Sequence, residues 1–244
     1  MADALCHRCG ICCLRGGPTL MTEDTPLLAE GALVLENMVC LRVGEWARDD
    51  LQEGLRPLAY EMLKVARWHP QAGVTEHPWR CPYFERTPTG ALCTIYRYRP
   101  AQCDLLFCGD TAPLAERLTQ GNMLDRTAVL TALPEAMLSA TARSLWQELA
   151  ATHEAQCPAK ECLQLAATLG FRPRGTQRAP LTADPREARL RLTMLARTDA
   201  AFRELCHHKA CIPADVLPFL LGRPIASLLA EAGCLPRHGT TADS

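Results

Sequence analysis

Thiols crowd the start of the chain, where residues 6–13 (CHRCGICC) carry four cysteines. A thiolate is a metal ligand and a nucleophile as well as a small apolar group. A gap of two residues lets a tight turn aim two sulfurs at one ion about 2.3 Å away, in structural zinc sites and in ferredoxins alike. Two such gaps follow each other at Cys6, Cys9 and Cys12. Their succession predicts a metal ligand set, against the alternative of buried thiols that bind no metal.

Four further cysteines follow in a stretch rich in proline, glycine and aromatic residues, which is poor helix material. The predicted first ligand group therefore consists of Cys6, Cys9, Cys12, Cys13, Cys81, Cys93, Cys103 and Cys108. Thiolates in this number suffice for two four-coordinate zinc sites, or for one four-iron cluster with sulfurs to spare. Side chains of adjacent residues diverge, so the pair at positions 12 and 13 serves two ions, or one of its thiols stays reactive.

Zinc and an iron–sulfur cluster both fit this pattern. The opening thiols have the spacing found at the start of a bacterial ferredoxin run, but Gly16 occupies the position of its fourth cysteine. The ferredoxin-like gaps, the Cys-Pro steps at Cys81 and Cys157, and the number of thiols favour a four-iron, four-sulfur cluster with an electron-transfer or redox role. The alternative is zinc, which would hold together a structural or interaction module.

A second set of cysteines repeats a gap of four residues, which plant-type ferredoxins also use. The predicted second thiolate group consists of Cys157, Cys162, Cys206 and Cys211. On a continuous helix the two sulfurs of each pair would point about 140° apart, so each pair needs a chain break, which Pro158 and Pro213 can supply. The alternative is that these cysteines fill a helical core, with His207 and His208 on the surface.

Composition limits the compartment and the partners. Fourteen cysteines in 244 residues serve either disulfides in an oxidising compartment or metal ligation in a reducing one. The sequence has no apolar leader with a cleavage site and no apolar run long enough to span a bilayer, so we expect a cytoplasmic protein with reduced thiols. A formal charge of −1 provides no basic field for nucleic acid or a membrane surface. No phosphate-binding loop, dinucleotide fingerprint or hydrolase motif occurs, so no reaction is predicted.

Hydrophobic periodicity predicts a mainly α fold, in which an irregular N-terminal cysteine module nucleated by metal packs on a helical remainder. Apolar residues recur at steps of three and four over residues 51–65, which predicts a helix that Pro57 kinks or breaks. Residues 87–90 (TPTG) predict the turn of a short β-hairpin whose arms carry Cys81 and Cys93.

Two helix boundaries are also predicted in the C-terminal part. Asp184 precedes Pro185 and Glu187, which is the pattern of an N-cap with a capping box, and a short helix over residues 224–232 should stop at Gly233. The predicted division is a cysteine-cluster module at 1–110, a helical extension at 111–170, a linker at 171–183, a helical region at 184–234 and a disordered tail at 235–244.

As a whole, the cysteine pattern resembles that of the YkgJ-like cysteine-cluster family, whose domains carry a CxxCxxCC motif. The matching elements are residues 6–13, residues 81–84 (CPYF), residues 93–100 (CTIYRYRP), Cys103 and Cys108. The similarity covers about residues 5–110, and residues 41–45 (LRVGE) with Gly109-Asp110 resemble one bacterial subgroup.

This resemblance implies chelation of zinc or iron by the eight cysteines of the first group, without an established reaction. Flagellin lysine methylase contains a similar cluster, so a metal-dependent methyltransferase-like enzyme is a further alternative. The chain is short, however, and shows no methyl-donor motif.

Overall fold

The computed structural model describes residues 8–49, 54–67, 77, 79–88, 90–171 and 184–234. Cys6, the predicted tail at 235–244 and all but the first residue of the predicted linker at 171–183 lie outside these ranges.

Helices make up most of the regular structure. They are α1 (Ile11–Arg15), α2 (Thr25–Ala29), α3 (Ala101–Leu105), α4 (Ala112–Thr119), α5 (Arg126–Ala132), α6 (Ala140–Gln156), α7 (Ala159–Thr168), α8 (Pro185–His208), α9 (Leu217–Leu221) and α10 (Ile225–Ala232). The strands are β1 (Met38–Leu41), β2 (Trp46–Asp49), β3 (Gly54–Pro57), β4 (Met62–Val65), β5 (Phe84–Thr87) and β6 (Gly90–Cys93). The mainly α fold class is confirmed, together with small antiparallel strand pairs. Within the described ranges, no helix is both long and apolar enough to cross a membrane.

Both predicted helix boundaries in the C-terminal part are confirmed. Asp184 is the N-cap of α8, and its side chain accepts a hydrogen bond from the Arg186 N–H at 2.9 Å. Pro185 occupies the first turn, where its missing N–H is not needed. The last helix ends at Gly233, whose φ of 87° is the left-handed conformation that glycine adopts without strain.

The predicted helix over residues 51–65 is wrong in its described part, which forms the two strands β3 and β4. Pro57 lacks an amide hydrogen and Gly54 weakens any helix, so local preference opposes one here. Side chains of β4 alternate, with Leu63 and Val65 buried. The apolar spacing that suggested one helix therefore comes from two strands on either side of a turn.

The segment that follows α1 is attached to a sheet. β1 and β4 pair antiparallel, and residues 17–20 run along the other edge of β4. The Val65 N–H donates to the carbonyl of Pro18 at 2.8 Å. Gly17 permits this approach, because a Cβ at that position would overlap the Val65 carbonyl oxygen. The first cysteine segment is thus tied to the sheet within a few residues of its last thiol.

One hydrophobic core draws on most of the sequence. Its buried members include Leu20, Leu63, Leu130 and Phe219. Helix α9 packs on β1, so a C-terminal helix covers the sheet to which the first cysteine segment is attached. This core crosses the predicted domain boundaries at residues 110 and 184.

A buried charge cluster joins the turn after β1 to the C-terminal helices. The fully buried Glu45 carboxylate accepts Arg42 Nε at 3.4 Å on one oxygen and Arg223 Nε at 2.8 Å on the other. Arg42 also donates to the carbonyl of Cys157 at 2.9 Å. Gly44, at φ 87°, lets this turn approach α7, because a Cβ there would lie 2.6 Å from the helix backbone.

Replacing Glu45 tests how much this cluster contributes to the stability of the protein. In Glu45→Gln, the carboxylate between two buried guanidinium groups is lost, so we expect the free energy of unfolding in urea to fall by about 3–5 kcal/mol. Glu231→Gln is the matched control, since Glu231 pairs with the same Arg223 but its side chain is 50% exposed; its loss should be about 1 kcal/mol or less. Equal effects of the two substitutions would contradict the assigned role of Glu45.

A second buried polar cluster holds α6, α8 and the start of α10 together. Nε2 of His153 lies 2.7 Å from Asp199, and the other oxygen of that carboxylate accepts the Ile225 N–H at 2.9 Å. Arg203 also donates to Asp199 at 3.0 Å. Burial lowers the pKa of His153 from 6.5 to about 4, against the opposing effect of the bond to Asp199. The imidazole is therefore neutral in the folded protein at neutral pH.

This lowered pKa makes stability depend on pH. Between pH 6.5 and about 4 the unfolded chain binds a proton that the folded His153 does not, so stability falls as the pH falls through this window, by about 3 kcal/mol at most. Urea unfolding at several pH values should show this slope in the parent protein and not in His153→Gln. The exposed His208 gives the control His208→Gln, which should retain the slope. A parent slope that survives in His153→Gln would contradict the assignment.

Candidate metal centre

The first cysteine segment lies against the hairpin formed by β5 and β6. Gly10, at φ 76°, is the N-cap of α1, and a Cβ there would lie 2.5 Å from the ring of Phe84. The Ala91 N–H donates to the carbonyl of Arg8 at 3.3 Å. Gly10 therefore allows the cysteine motif to approach Phe84 closely, and it also allows the chain to turn there.

Two thiols of the later stretch reach the first segment through this hairpin. The Cys81 N–H donates to the carbonyl of Cys13 at 2.8 Å. Cys93 ends β6 opposite Phe84, whose ring lies beside Gly10. The predicted hairpin forms and its second arm carries Cys93, but Cys81 lies three residues before β5 and not on the first arm.

Asp24 positions the short helix α3, which carries Cys103. One oxygen of this buried carboxylate accepts the Ala101 N–H at 2.7 Å, and the other accepts the Met21 N–H at 2.8 Å. Pro100, the N-cap residue, offers no side-chain cap, so Asp24 supplies from a distant segment the acceptor that the helix start needs. Cys103 is thereby held beside the first cysteine segment.

Thiols from these segments share one neighbourhood. Those that interact electrostatically with one another are Cys12, Cys13, Cys81, Cys93 and Cys103. The Sγ atoms of Cys12 and Cys13 are 3.9 Å apart. A hydrogen bond between the two thiols lowers the pKa of Cys12 and raises the pKa of Cys13, so the pair gives up one proton more readily than the second.

Burial sets the protonation of Cys81 and Cys103. It raises the pKa of Cys81 to about 11 and raises the pKa of Cys103 as well, and neighbouring thiols add to both shifts. Without a metal these two thiols are protonated at neutral pH. Because metal ligands must be thiolates, metal binding here releases protons and its affinity increases with pH.

The other three members of the first group are not among these inner thiols. Cys9 and Cys108 are exposed, and Cys6 is outside the described residues. Among the residues that the structure describes, no three His, Cys, Asp or Glu side chains form an arrangement that would hold a metal ion. The structure thus shows inner thiols gathered in one neighbourhood, and it does not show the module nucleated by metal that the sequence predicts.

The four thiols of the second predicted group lie in different parts of the structure. Cys157 and Cys162 are fully buried in a cluster formed with α8 and α10. Cys206 belongs to the main core, and Cys211 is exposed. Pro158 does break the chain, as the N-cap residue of α7. The described structure does not gather these four thiols, and the second site stays a prediction.

Comparison with known proteins finds a similarity in the first region. Residues 5–114 match the family model of the CxxCxxCC domain, which is described as a "putative zinc- or iron-chelating domain". Residues 5–114 are thus similar to this family, and they are called the CxxCxxCC domain below after the model that they match. The match spans the whole first cysteine group and supports metal binding in this region, with zinc or iron as the metal. No curated protein and no solved structure matches the chain.

Sequence reasoning missed two residues that shape the CxxCxxCC domain. Asp24 leaves no local signal, because the amide of Ala101 that it holds is 77 positions away. Lys64 lies on β4 beside Gly16, where a Cβ would be 3.5 Å from Nζ. The sequence distinguishes Lys64 only by its residue type, because lysine is rare in this chain and occurs three times.

Removing the Asp24 carboxylate tests its role in the CxxCxxCC domain. Asp24→Ala leaves the amides of Met21 and Ala101 without their acceptor, so the free energy of unfolding should fall by about 2–4 kcal/mol. The neighbouring Glu23, exposed and paired with Arg117, supplies the control Glu23→Ala, for which about 1 kcal/mol or less is expected. Urea unfolding measures both, and a small effect of Asp24→Ala would contradict this account.

Proposed function

We propose that the CxxCxxCC domain holds an iron–sulfur cluster of the four-iron, four-sulfur type and that the protein has an electron-transfer or redox role. The observation that carries this proposal is the shared neighbourhood of thiols from α1, the hairpin and α3. Thiolate sulfur is the usual ligand of such clusters. The ferredoxin-like gaps and the presence of more thiols than one zinc ion uses support the cluster over zinc.

The chemistry of the donors fits this group. Cys81 is buried, while Cys12, Cys13, Cys93 and Cys103 are half-buried, so the neighbourhood is shielded from much of the solvent. These inner thiols are the first candidates for ligands, and the outer thiols of the first group complete the set. When bound, the cluster would accept or release one electron. Such chemistry requires reduced thiols, which supports a cytoplasmic location.

Zinc is the second candidate, and the shortness of the elements favours it. Helices α1 and α3 have five residues each, and β5 and β6 have four. Elements of this length are not stable alone, and a structural zinc ion would join them without any redox role. The third candidate, a methyltransferase-like enzyme, rests on the resemblance to flagellin lysine methylase alone.

Metal analysis separates the candidates. The full chain, purified anaerobically, should show the broad visible absorbance of an iron–sulfur cluster and contain iron and acid-labile sulfide in equal amounts. A colourless protein with stoichiometric zinc and no iron or sulfide would reject the cluster and support the zinc module. A protein without either metal, before and after anaerobic reconstitution, would reject metal binding.

Serine variants assign the ligands. Cys103→Ser should lower the metal content, because it removes an inner thiol. Cys40→Ser is the matched control, since Cys40 is buried in the core and lies outside the first group. In the second group, Cys157→Ser and Cys206→Ser should leave the metal content unchanged if one site exists. A fall in both would establish the second site, and no change in Cys103→Ser would contradict the ligand assignment.

A further inference from the structure

A cluster of thiolates inside a fold raises a problem of charge. A divalent ion bound by four thiolates carries a net charge of −2, and so does a common state of a four-iron cluster with the same ligands. Partial burial of such a charge is unfavourable unless opposite charges are held close to it. The residues around the inner thiols therefore have to supply positive charge.

Lys64 lies close to the end of the first cysteine segment. Its backbone is fixed in β4, between β1 and residues 17–20. Its side chain runs past Gly16, where a Cβ would be 3.0 Å from Cε and 3.5 Å from Nζ. Gly16 is the residue that ends α1, whose amide bonds back to the carbonyl of Cys12. The ammonium group also acts on Cys81, where it opposes the rise in pKa that burial causes.

Arg99 lies close to the helix α3 that carries Cys103. Its guanidinium group stacks on the ring of Tyr96 at 4.1 Å and pairs with Asp104 at 2.5 Å. Asp104 follows Cys103 on α3, so the ion pair holds the guanidinium group near that part of the helix. The Nε atom of Arg99 is buried and has no hydrogen-bond partner among the described residues. One N–H of this cation thus remains available beside Cys103, whose electrostatic surroundings include Arg99.

We propose that Lys64 and Arg99 neutralise the thiolate charge of the metal centre, as two cations that the fold holds near different inner thiols. This inference rests on the proposed metal-binding function. Of the other basic residues near the cysteines in sequence, Arg15 and Arg97 are exposed. The sequence alone offers no reason to prefer Arg99 over Arg97 or to include Lys64, which belongs to a distant strand.

Zinc retention by full-length variants tests the two cations. Each protein is loaded with Zn²⁺ anaerobically and titrated with EDTA, so that the bound fraction gives a relative affinity. Lys64→Gln and Arg99→Gln should each bind Zn²⁺ about 10–100-fold more weakly than the parent protein. Lys160→Gln and Arg97→Gln are the matched controls, because both residues are exposed; they should retain the parent affinity.

Two further measurements distinguish the effect of the positive charge from the effect of side-chain shape and packing. Lys64→Arg and Arg99→Lys keep the charge and should keep most of the affinity. Thermal unfolding of the metal-free variants should match that of the controls, since the proposed role concerns the metal-bound state. Parent-like affinity in both glutamine variants, or an equal loss in the charge-keeping variants, would overturn the proposal. A parent protein that takes up neither zinc nor iron would instead reject the proposed function on which it rests.

Discussion

The buried carboxylate of Glu45 fixes how the turn after β1 lies against the C-terminal helices. It lies between Arg42, in the turn after β1, and Arg223, just before α10. A charge without solvent contact is tolerated only when opposite charges are fixed around it. The turn must therefore meet the C-terminal helices, and Gly44 makes this approach sterically possible.

Through this contact, residues outside the CxxCxxCC domain help to hold the domain in place. The family match ends at residue 114, yet α9 packs on β1 and Arg223 stacks on Trp79 at 5.1 Å, two positions before Cys81. The residues that carry the inner thiols form short elements with little buried area of their own. Their positions depend on the sheet, and the sheet depends on helices from the other end of the chain. In this protein the cysteine domain and the C-terminal helices are parts of one core.

The sequence patterns differ in how well they predicted structure, and the difference has a physical cause. The start of α8 and the end of α10 were predictable because a capping residue and a terminal glycine act within one turn of the helix. The hairpin was predictable because its turn is local as well. Residues 54–65 were mispredicted because spacing alone does not distinguish a helix face from two strands when the partner strands lie elsewhere in the sequence. Cys157 and Cys206 share a spacing pattern, but the packing of α7 and α8 assigns them to different clusters.

By itself the sequence determined the kind of chemistry, since thiol type and the two-residue gap are local properties that persist in any fold. It also determined the start of α8 and the end of α10, for the same reason. Only the tertiary structure decided which thiols meet. Cys103 reaches the first segment because Asp24 holds the start of α3, and Lys64 reaches it because β4 runs beside residues 17–20. Such contacts join residues tens of positions apart, and they exist only once the common core has fixed the backbone.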